Sequence, residues 1–258
     1  MNTALNYPTV AQISDSHLFD DPVKCHHGAN VYDNLSRVLA ALKANSKLSC
    51  IVFTGDLTQD HSENSYQLFA QLVKSYNFDV PFYYVAGNHD DPYLMDRYLN
   101  GKPFKVDKSI NIENWQLVLL DSKSETPAGD VSAQELQRLN CTYSNIDTEL
   151  FKLVMMHHHA IDVGYFIDRH GLNNSAEFWL QVSQNPLIKG VACGHVHRGL
   201  DLMPETTGQK VPLYTCPATS IEFDTQANTV CATGKEPGYR LFYLKPNGYL
   251  TSQTFYIE

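Results

Sequence analysis

Short runs of consecutive apolar residues alternate, over the first two-thirds of the chain, with longer stretches in which apolar residues recur every three or four positions. The runs at 10–13, 50–53, 82–86, 115–120, 151–156 and 187–193 are too short for helices and read as strands buried on both faces. Between them, 31–44 puts Val31, Leu35, Val38, Leu39 and Leu42 on one helical face. The stretch 63–76 does the same with Tyr66, Phe69, Leu72 and Val73. Further helices are expected near 92–99, 133–139 and 174–184. From 199 onward the pattern changes to short strands at 199–203, 211–216, 239–245 and 249–256, parted by turns rich in Gly, Pro and Thr. Strands alternating with helices and then a strand-rich tail predict an α/β fold with right-handed βαβ connections and a second sheet that the tail completes. No repeat, low-complexity tract or linker interrupts the chain, so residues 1–258 are expected to form one domain, with 199–258 completing the second sheet and capping the substrate.

With 258 residues and 43% apolar content the chain can bury a substantial core without metals or disulfides to hold it. The net charge of -9, with 19 Lys and Arg spread without clusters, makes a nucleic-acid duplex or an anionic membrane a poor partner. An acidic protein that handles phosphate needs bound cations to supply positive charge. The six cysteines, Cys25, Cys50, Cys141, Cys193, Cys216 and Cys231, have no C-x-x-C pair and are expected to be small buried hydrophobes in a reducing cytosol. The opening MNTALNYPTV has neither a basic segment nor an apolar one, and no run reaches the length of a membrane span. A soluble cytoplasmic protein is the expectation.

The chemistry lies where the apolar runs end. The run at 82–86 breaks into Gly87-Asn88-His89-Asp90, and four others end in Asp15-Ser16-His17, Gly55-Asp56, His157-His158-His159 and Gly194-His195-Val196-His197. Any one of these alone reads as a turn or a helix cap. Together they bring the same donor types to the carboxyl ends of separate strands, which converge on one edge of a sheet. Asp15 with His17, and His195 with His197, span roughly 6.6 Å on one face of extended backbone. Adding Asp56, Asn88 and His157 gives oxygen and imidazole donors without a thiolate, enough for two divalent cations, with Fe, Mn or Zn favoured. A carboxylate such as Asp56 can bridge such a pair at about 3.5 to 4 Å, trapping a hydroxide between them. His158 and His159 are expected to line or support the site, and His26, His27 and His61 to be solvated loop histidines.

These five blocks, in order and spacing, resemble the signature of the calcineurin-like metallophosphoesterase superfamily over roughly residues 9 to 200. The resemblance implies a four-layer α/β/β/α sandwich with two mixed β-sheets. It also implies one metal held by Asp15, His17, Asp56 and His197 and another by Asp56, Asn88, His157 and His195. Substrate would then meet His17, Asp56, Asn88, His89, His157 and His197. The wording of 12–19, Gly55-Asp56-Leu57-Thr58-Gln59-Asp60, the histidine triplet and 193–197 is most similar to the bacterial class III cyclic-nucleotide phosphodiesterases, as are 217–220 and 237–240. The chain departs at Ala160, where the family usually has Pro, and over 224–236. Protein serine/threonine phosphatases are less similar, because their Arg-containing block is missing, as are purple acid phosphatases, whose Tyr ligand is here Thr58. The resemblance implies hydrolysis of 3′,5′-cyclic AMP to 5′-AMP by a hydroxide bridging the metals.

Within that scheme His89, beside ligand Asn88, is the expected general acid for the departing sugar oxygen. Asp60 is a candidate to orient or charge-stabilise it, with capping of the helix near 63 as the alternative. Phe19, Tyr165, Phe166, Phe223 and Arg169 are candidates for a nucleotide-lining role, with surface or packing roles as the alternative. The nearest rival reading is a broad-specificity phosphodiesterase or phosphomonoesterase on another nucleotide or lipid precursor. A non-catalytic scaffold is disfavoured, since every ligand position and His89 is filled.

Overall fold

The computed structural model describes residues 7–140, 150–205 and 208–257; Cys141 lies outside them. The chain opens with β1 (Thr9–Ile13), a small hairpin of β2 (Cys25–His26) and β3 (Ala29–Asn30), and then α1 (Val31–Ala44). There follow β4 (Leu48–Phe53), α2 (Glu63–Ser75), β5 (Phe82–Tyr84), α3 (Pro92–Tyr98), β6 (Phe104–Lys105) and β7 (Ser109–Ile112). The middle of the chain supplies β8 (Trp115–Leu119), α4 (Ala133–Asn140), β9 (Phe151–Met156), a 3-10 turn (Phe166–His170) and α5 (Ser175–Gln184). The last strands are β10 (Ile188–Cys193), β11 (Asp201–Leu202), β12 (Leu213–Thr215), β13 (Gly238–Leu244) and β14 (Leu250–Tyr256). The helices start where the residues can cap them. The Asn30 side chain accepts from the Asp33 N–H, Ser62 from Ser65, and Asp91 from Tyr93 and Leu94 ahead of Pro92 at the first turn of α3.

Two six-stranded sheets result, in the orders β14-β13-β1-β4-β5-β6 and β11-β12-β10-β9-β8-β7. Both are mixed: β1, β4, β5 and β6 run parallel, as do β8, β9, β10 and β12, with antiparallel strands at the margins. Alternation along each strand explains why the apolar runs are continuous. Val10, Cys50, Val52, Tyr83 and Phe242 from the first sheet meet Trp115, Leu117, Leu153, Met155 and Ala192 from the second in one shared core. Ile51, Phe53, Phe82 and Tyr84 turn the other way, onto the α1 and α2 face with Leu35, Leu39, Phe69 and Val73. Val118, Val154, Met156 and Val191 pack with Leu136, Phe178 and Val182 of α4 and α5. The layers are therefore α/β/β/α.

The tail differs from expectation. Only β11 and β12 join the second sheet; β13 pairs antiparallel with β1 and carries β14, so the tail completes both sheets. The free edge of β1 takes β13, and buried Arg240 of β13 then links the layers through the Thr215 and Leu200 carbonyls, at 3.0 Å each, and Asp201 at 2.7 Å. The short strands β2, β3, β6 and β7 have no counterpart in the apolar pattern, being too brief for an alternation to register. Cys50, Cys193 and Cys216 are buried as expected, whereas Cys25 and Cys231 are exposed. Among the described residues no helix is long and apolar enough to cross a membrane.

Candidate active site

The carboxyl ends of β1, β4 and β5 in one sheet and of β9 and β10 in the other open onto the same rim, and their loops interlock. The Asp15 N–H donates to the Gly55 carbonyl at 2.9 Å, His17 to Asp56 at 3.1 Å and Leu18 to Leu57 at 2.8 Å. Turning so sharply forces left-handed backbone on residues that have side chains. Asp15 (φ 57°), His17 (45°), Asp56 (57°), His195 (65°) and His197 (59°) all adopt it. Each such residue costs on the order of 1 kcal/mol or more, a cost that concentrates at functional sites. Gly55 and Gly87 make the crossing possible: a Cβ on Gly55 would meet Gly87 N at 2.4 Å, and one on Gly87 would meet Asp56 Oδ1 at 2.2 Å.

The seven expected ligands come together, almost wholly buried except Asn88. His17 Nε2 lies 3.2 Å from His197 Nε2, which lies 3.4 Å from Asp15 Oδ1. His157 Nε2 lies 3.1 Å from both Asn88 Oδ1 and His195 Nδ1. Asp56 joins the two groups, its Oδ2 at 3.6 Å from His17 Nε2 and 3.4 Å from His157 Nε2. Its Oδ1 accepts the His89 N–H at 2.9 Å, which fixes the direction of Oδ2.

The donor set fits cations. His197 Nδ1–H donates to the Ile221 carbonyl at 2.8 Å and His157 Nδ1–H to the Thr54 carbonyl at 2.7 Å, so each Nε2 presents a lone pair to the cluster. Lone pairs facing carboxylate and amide oxygens at 3.1 to 3.4 Å repel unless a positive charge lies among them. Such spacings match the ligand-to-ligand edges around an ion with bonds of about 2.0–2.2 Å. A proton on His157 Nε2 is the other way to supply that positive charge. Burial works against a charge on His157, yet Asp56 beside it pushes its pKa up to about 9. Burial would raise the Asp56 carboxyl, but His157 holds it well below the usual carboxylate range.

Around the ligands, the other two histidines of the 157–159 triplet have other work. His158 is committed at both ring nitrogens, to Ser122 Oγ at 2.8 Å and the Pro127 carbonyl at 3.2 Å, and so supports the loop rather than the cluster. His159 stacks on His195 with centroids 5.5 Å apart and reaches Asp168 at 3.3 Å. Phe223 lies flat on the His197 ring, 3.7 Å between centroids and 14° between planes, and fixes the orientation of that ring.

Asp60 is engaged by groups of its own loop and of the loop after β1. Its carboxylate accepts from Asp20 N–H at 2.8 Å, Ser62 N–H at 3.1 Å and Thr58 Oγ1 at 3.4 Å, which knots the loop before α2. His61 approaches His89 instead: its ring stacks there at 5.4 Å and 9°, and its Nδ1–H donates to the His89 carbonyl at 2.9 Å. His61 and His27 are exposed as expected, but His26 is half-buried and stacks at 5.7 Å on His17. No periodicity could reveal this, because the hairpin that carries it has no apolar pattern.

Asp90 has a role that the sequence left unassigned. It accepts the N–H groups of Asp56, Leu57 and Gly87, each at 2.8 Å, and so ties two ligand loops together. Burial, and then the charge of Asp56, push its carboxyl up to about 6, which leaves it ionised at neutral pH. Asp90→Ala strands three buried N–H groups and is expected to lower the unfolding free energy by about 3–5 kcal/mol at pH 7. Urea denaturation checks this; a loss under about 1 kcal/mol would mean that water replaces the carboxylate at little cost.

The cluster lies at the floor of a cleft of about 450 Å³. Of the residues expected to meet substrate, His17, Asp56, Asn88, His89 and His197 line it, whereas His157 is closed off and His195 lines it in its place. Phe166, Phe223 and Arg169 line the walls. Tyr165 does not, being buried with its hydroxyl on the Val196 carbonyl, and Phe19 packs behind His26.

The family model described as calcineurin-like phosphoesterase matches residues 8–199. A Colwellia psychrerythraea protein named a probable cyclic nucleotide phosphodiesterase is 50% identical over 95% of this chain and 93% of its own length. The Escherichia coli protein named 3′,5′-cyclic adenosine monophosphate phosphodiesterase CpdA is 32% identical over 95% of this chain and 88% of its own. Among solved structures, a dimetal phosphatase from Danio rerio has a TM-score of 0.66 at 14% identity, covering 98% of this chain and 100% of that one. Purple acid phosphatase from yellow lupin has a TM-score of 0.55 at 14% identity, covering 96% of this chain and 53% of that one. At those identities the structural likeness is one of fold.

Proposed function

The chain belongs to the calcineurin-like phosphoesterase family, and on that premise we propose that it hydrolyses 3′,5′-cyclic AMP to 5′-AMP. The observation that carries the reading is Asp56 Oδ2, placed between His17 and His157 at 3.6 and 3.4 Å so that one carboxylate serves two groups of ligands. Asp15, His17, Asp56 and His197 would hold one divalent cation, and Asp56, Asn88, His157 and His195 a second; Fe, Mn or Zn suits these donors. Bound there, the cations would neutralise phosphate charge and make a water nucleophilic near neutral pH. Residues 1–258 act in this reading as one catalytic domain.

The chain's own contribution is orientation and proton supply. His89 sits at the rim of the cluster, edge-on to His17 at 4.9 Å, with its backbone fixed on Asp56 and its ring open to the cleft. A protonated imidazole there can hand its proton to the sugar oxygen as the P–O bond breaks. Burial lowers the His89 pKa against the pull of Asp56, so the proton is given up readily, and an anionic phosphate beside it favours the protonated form. The cleft volume of about 450 Å³ falls in the range of about 300–1,000 Å³ common to small-molecule sites. The name of the Colwellia relative supports a cyclic nucleotide, and that of the Escherichia coli relative the choice of cyclic AMP. A cytoplasmic setting is supported by the unpaired state of all five described cysteines.

The test is an assay of metal-loaded protein against 3′,5′-cyclic AMP, 3′,5′-cyclic GMP, 2′,3′-cyclic nucleotides and phosphomonoesters. The highest kcat/KM is expected for 3′,5′-cyclic AMP. A ranking with the 3′,5′-cyclic nucleotides last would overturn the reading.

A further inference from the structure

The wall of the cleft beyond the ligands is built from two separate segments. One is the 3-10 turn Phe166–His170. The other is an excursion that leaves the tail at Phe223 and returns at Ala232, where the two residues form an antiparallel bridge. At its base the excursion is closed by Asp224 N–H on the Cys231 carbonyl at 2.8 Å and Thr233 N–H on the Glu222 carbonyl at 3.0 Å. Its tip has few hydrogen bonds of its own, Ala227 N–H to the Asp224 carbonyl at 3.3 Å and Gln226 N–H to the Asp224 side chain at 2.9 Å, and of the tip Val230 packs on the apolar cluster of Tyr165, Ile167, Val196, Ile221 and Phe223. Thr229 and Val230 of this tip nevertheless line the cleft.

Arg169 holds the tip from outside. Its Nη2 donates to the Asn228 carbonyl at 2.5 Å and its Nε to the Phe166 carbonyl at 3.0 Å, so one guanidinium spans the two segments. Phe166 and Phe223 pack beneath this strap with centroids 5.1 Å apart. Arg169 is also the one Lys or Arg lining the cleft among the described residues, and two of its nitrogens already serve backbone carbonyls.

We propose that Arg169 is a positioning residue, which sets the 223–232 excursion as the wall against which the nucleoside half of the substrate rests. This rests on the cyclic-nucleotide reading above. A small diester is held by the cluster and has no nucleoside to lean on the excursion, so Arg169 governs discrimination more than turnover. Without the strap the excursion samples open positions, and apparent affinity for the nucleotide falls by the fraction of time the wall is in place. Arg169 is exposed, so its removal leaves the packed core intact.

The test compares wild type with Arg169→Ala on cyclic AMP and on bis(p-nitrophenyl) phosphate, with hydrogen exchange measured in parallel. KM for cyclic AMP is expected to rise about tenfold, through a closed fraction near one-tenth, with the kcat/KM ratio of cyclic AMP to the aryl diester falling accordingly. Peptides covering 223–232 should exchange faster in the variant. Thr229→Ala, at an exposed lining residue outside the apolar packing, should raise KM in the wild-type background and add nothing in Arg169→Ala, since a displaced wall has no contact left to lose. Unchanged exchange over 223–232, an equal loss on both substrates, or multiplying effects of the two substitutions each overturns the proposal while cyclic AMP remains a substrate. Failure of the wild-type protein to hydrolyse cyclic AMP would remove the functional reading and this inference with it.

Discussion

Asp56→Asn is expected to lower turnover of cyclic AMP on the order of 10³-fold or more, because the electrostatic help of a shared carboxylate is worth several kcal/mol and each 1.4 kcal/mol is about tenfold. Shape is conserved in this substitution, and the Oδ1 that accepts the His89 N–H at 2.9 Å can remain in place. What goes is the charge on the atom that faces both His17 and His157. An amide NH2 in that position would point a donor at the cations. Metal content by elemental analysis should fall below that of wild type while circular dichroism stays native. Turnover within about tenfold of wild type at full metal content would show that Asp56 is not shared.

His89→Asn is the second large effect, and it should depend on the leaving group. Turnover on cyclic AMP is expected to fall about 10²–10⁴-fold, the range for loss of a general acid to a poor leaving group. An activated aryl diester, whose phenolate leaves without a proton, should lose much less. Metal content should be unchanged, because His89 meets the cluster through its backbone N–H on Asp56 and not as one of the seven ligands. Equal losses on both esters would assign His89 to binding and not to proton transfer.

Much of the architecture was legible because the pattern and the burial have one cause. Strands such as β4 and β9, buried on both faces between a helix layer and the facing sheet, must be apolar throughout. Their ends were recognisable because polar donors there interrupt such runs abruptly. The placement of β13 beside β1 was not legible, since pairing over that separation depends on which edge is free and not on local periodicity. Asp60 and Asp90 show the same limit at the site. Both are carboxylates next to ligand motifs, but besides local partners each accepts from backbone N–H groups of a loop distant in sequence, Asp20 for one and Asp56 and Leu57 for the other. The left-handed backbone at Asp15, His17, Asp56, His195 and His197 had no signal beyond neighbouring Gly55 and Gly194, because the turns are imposed by interlocking loops. His26 reaches His17 only through the fold of its hairpin.

Anomalous diffraction from crystals grown with excess manganese tests the arrangement at the centre of this account. Two peaks are expected about 3.5 to 4 Å apart, one beside His17 and His197, the other beside Asn88, His157 and His195, with Asp56 Oδ2 between them. No peak within the cluster, or a single ion with Asp56 bound to nothing else, would contradict it.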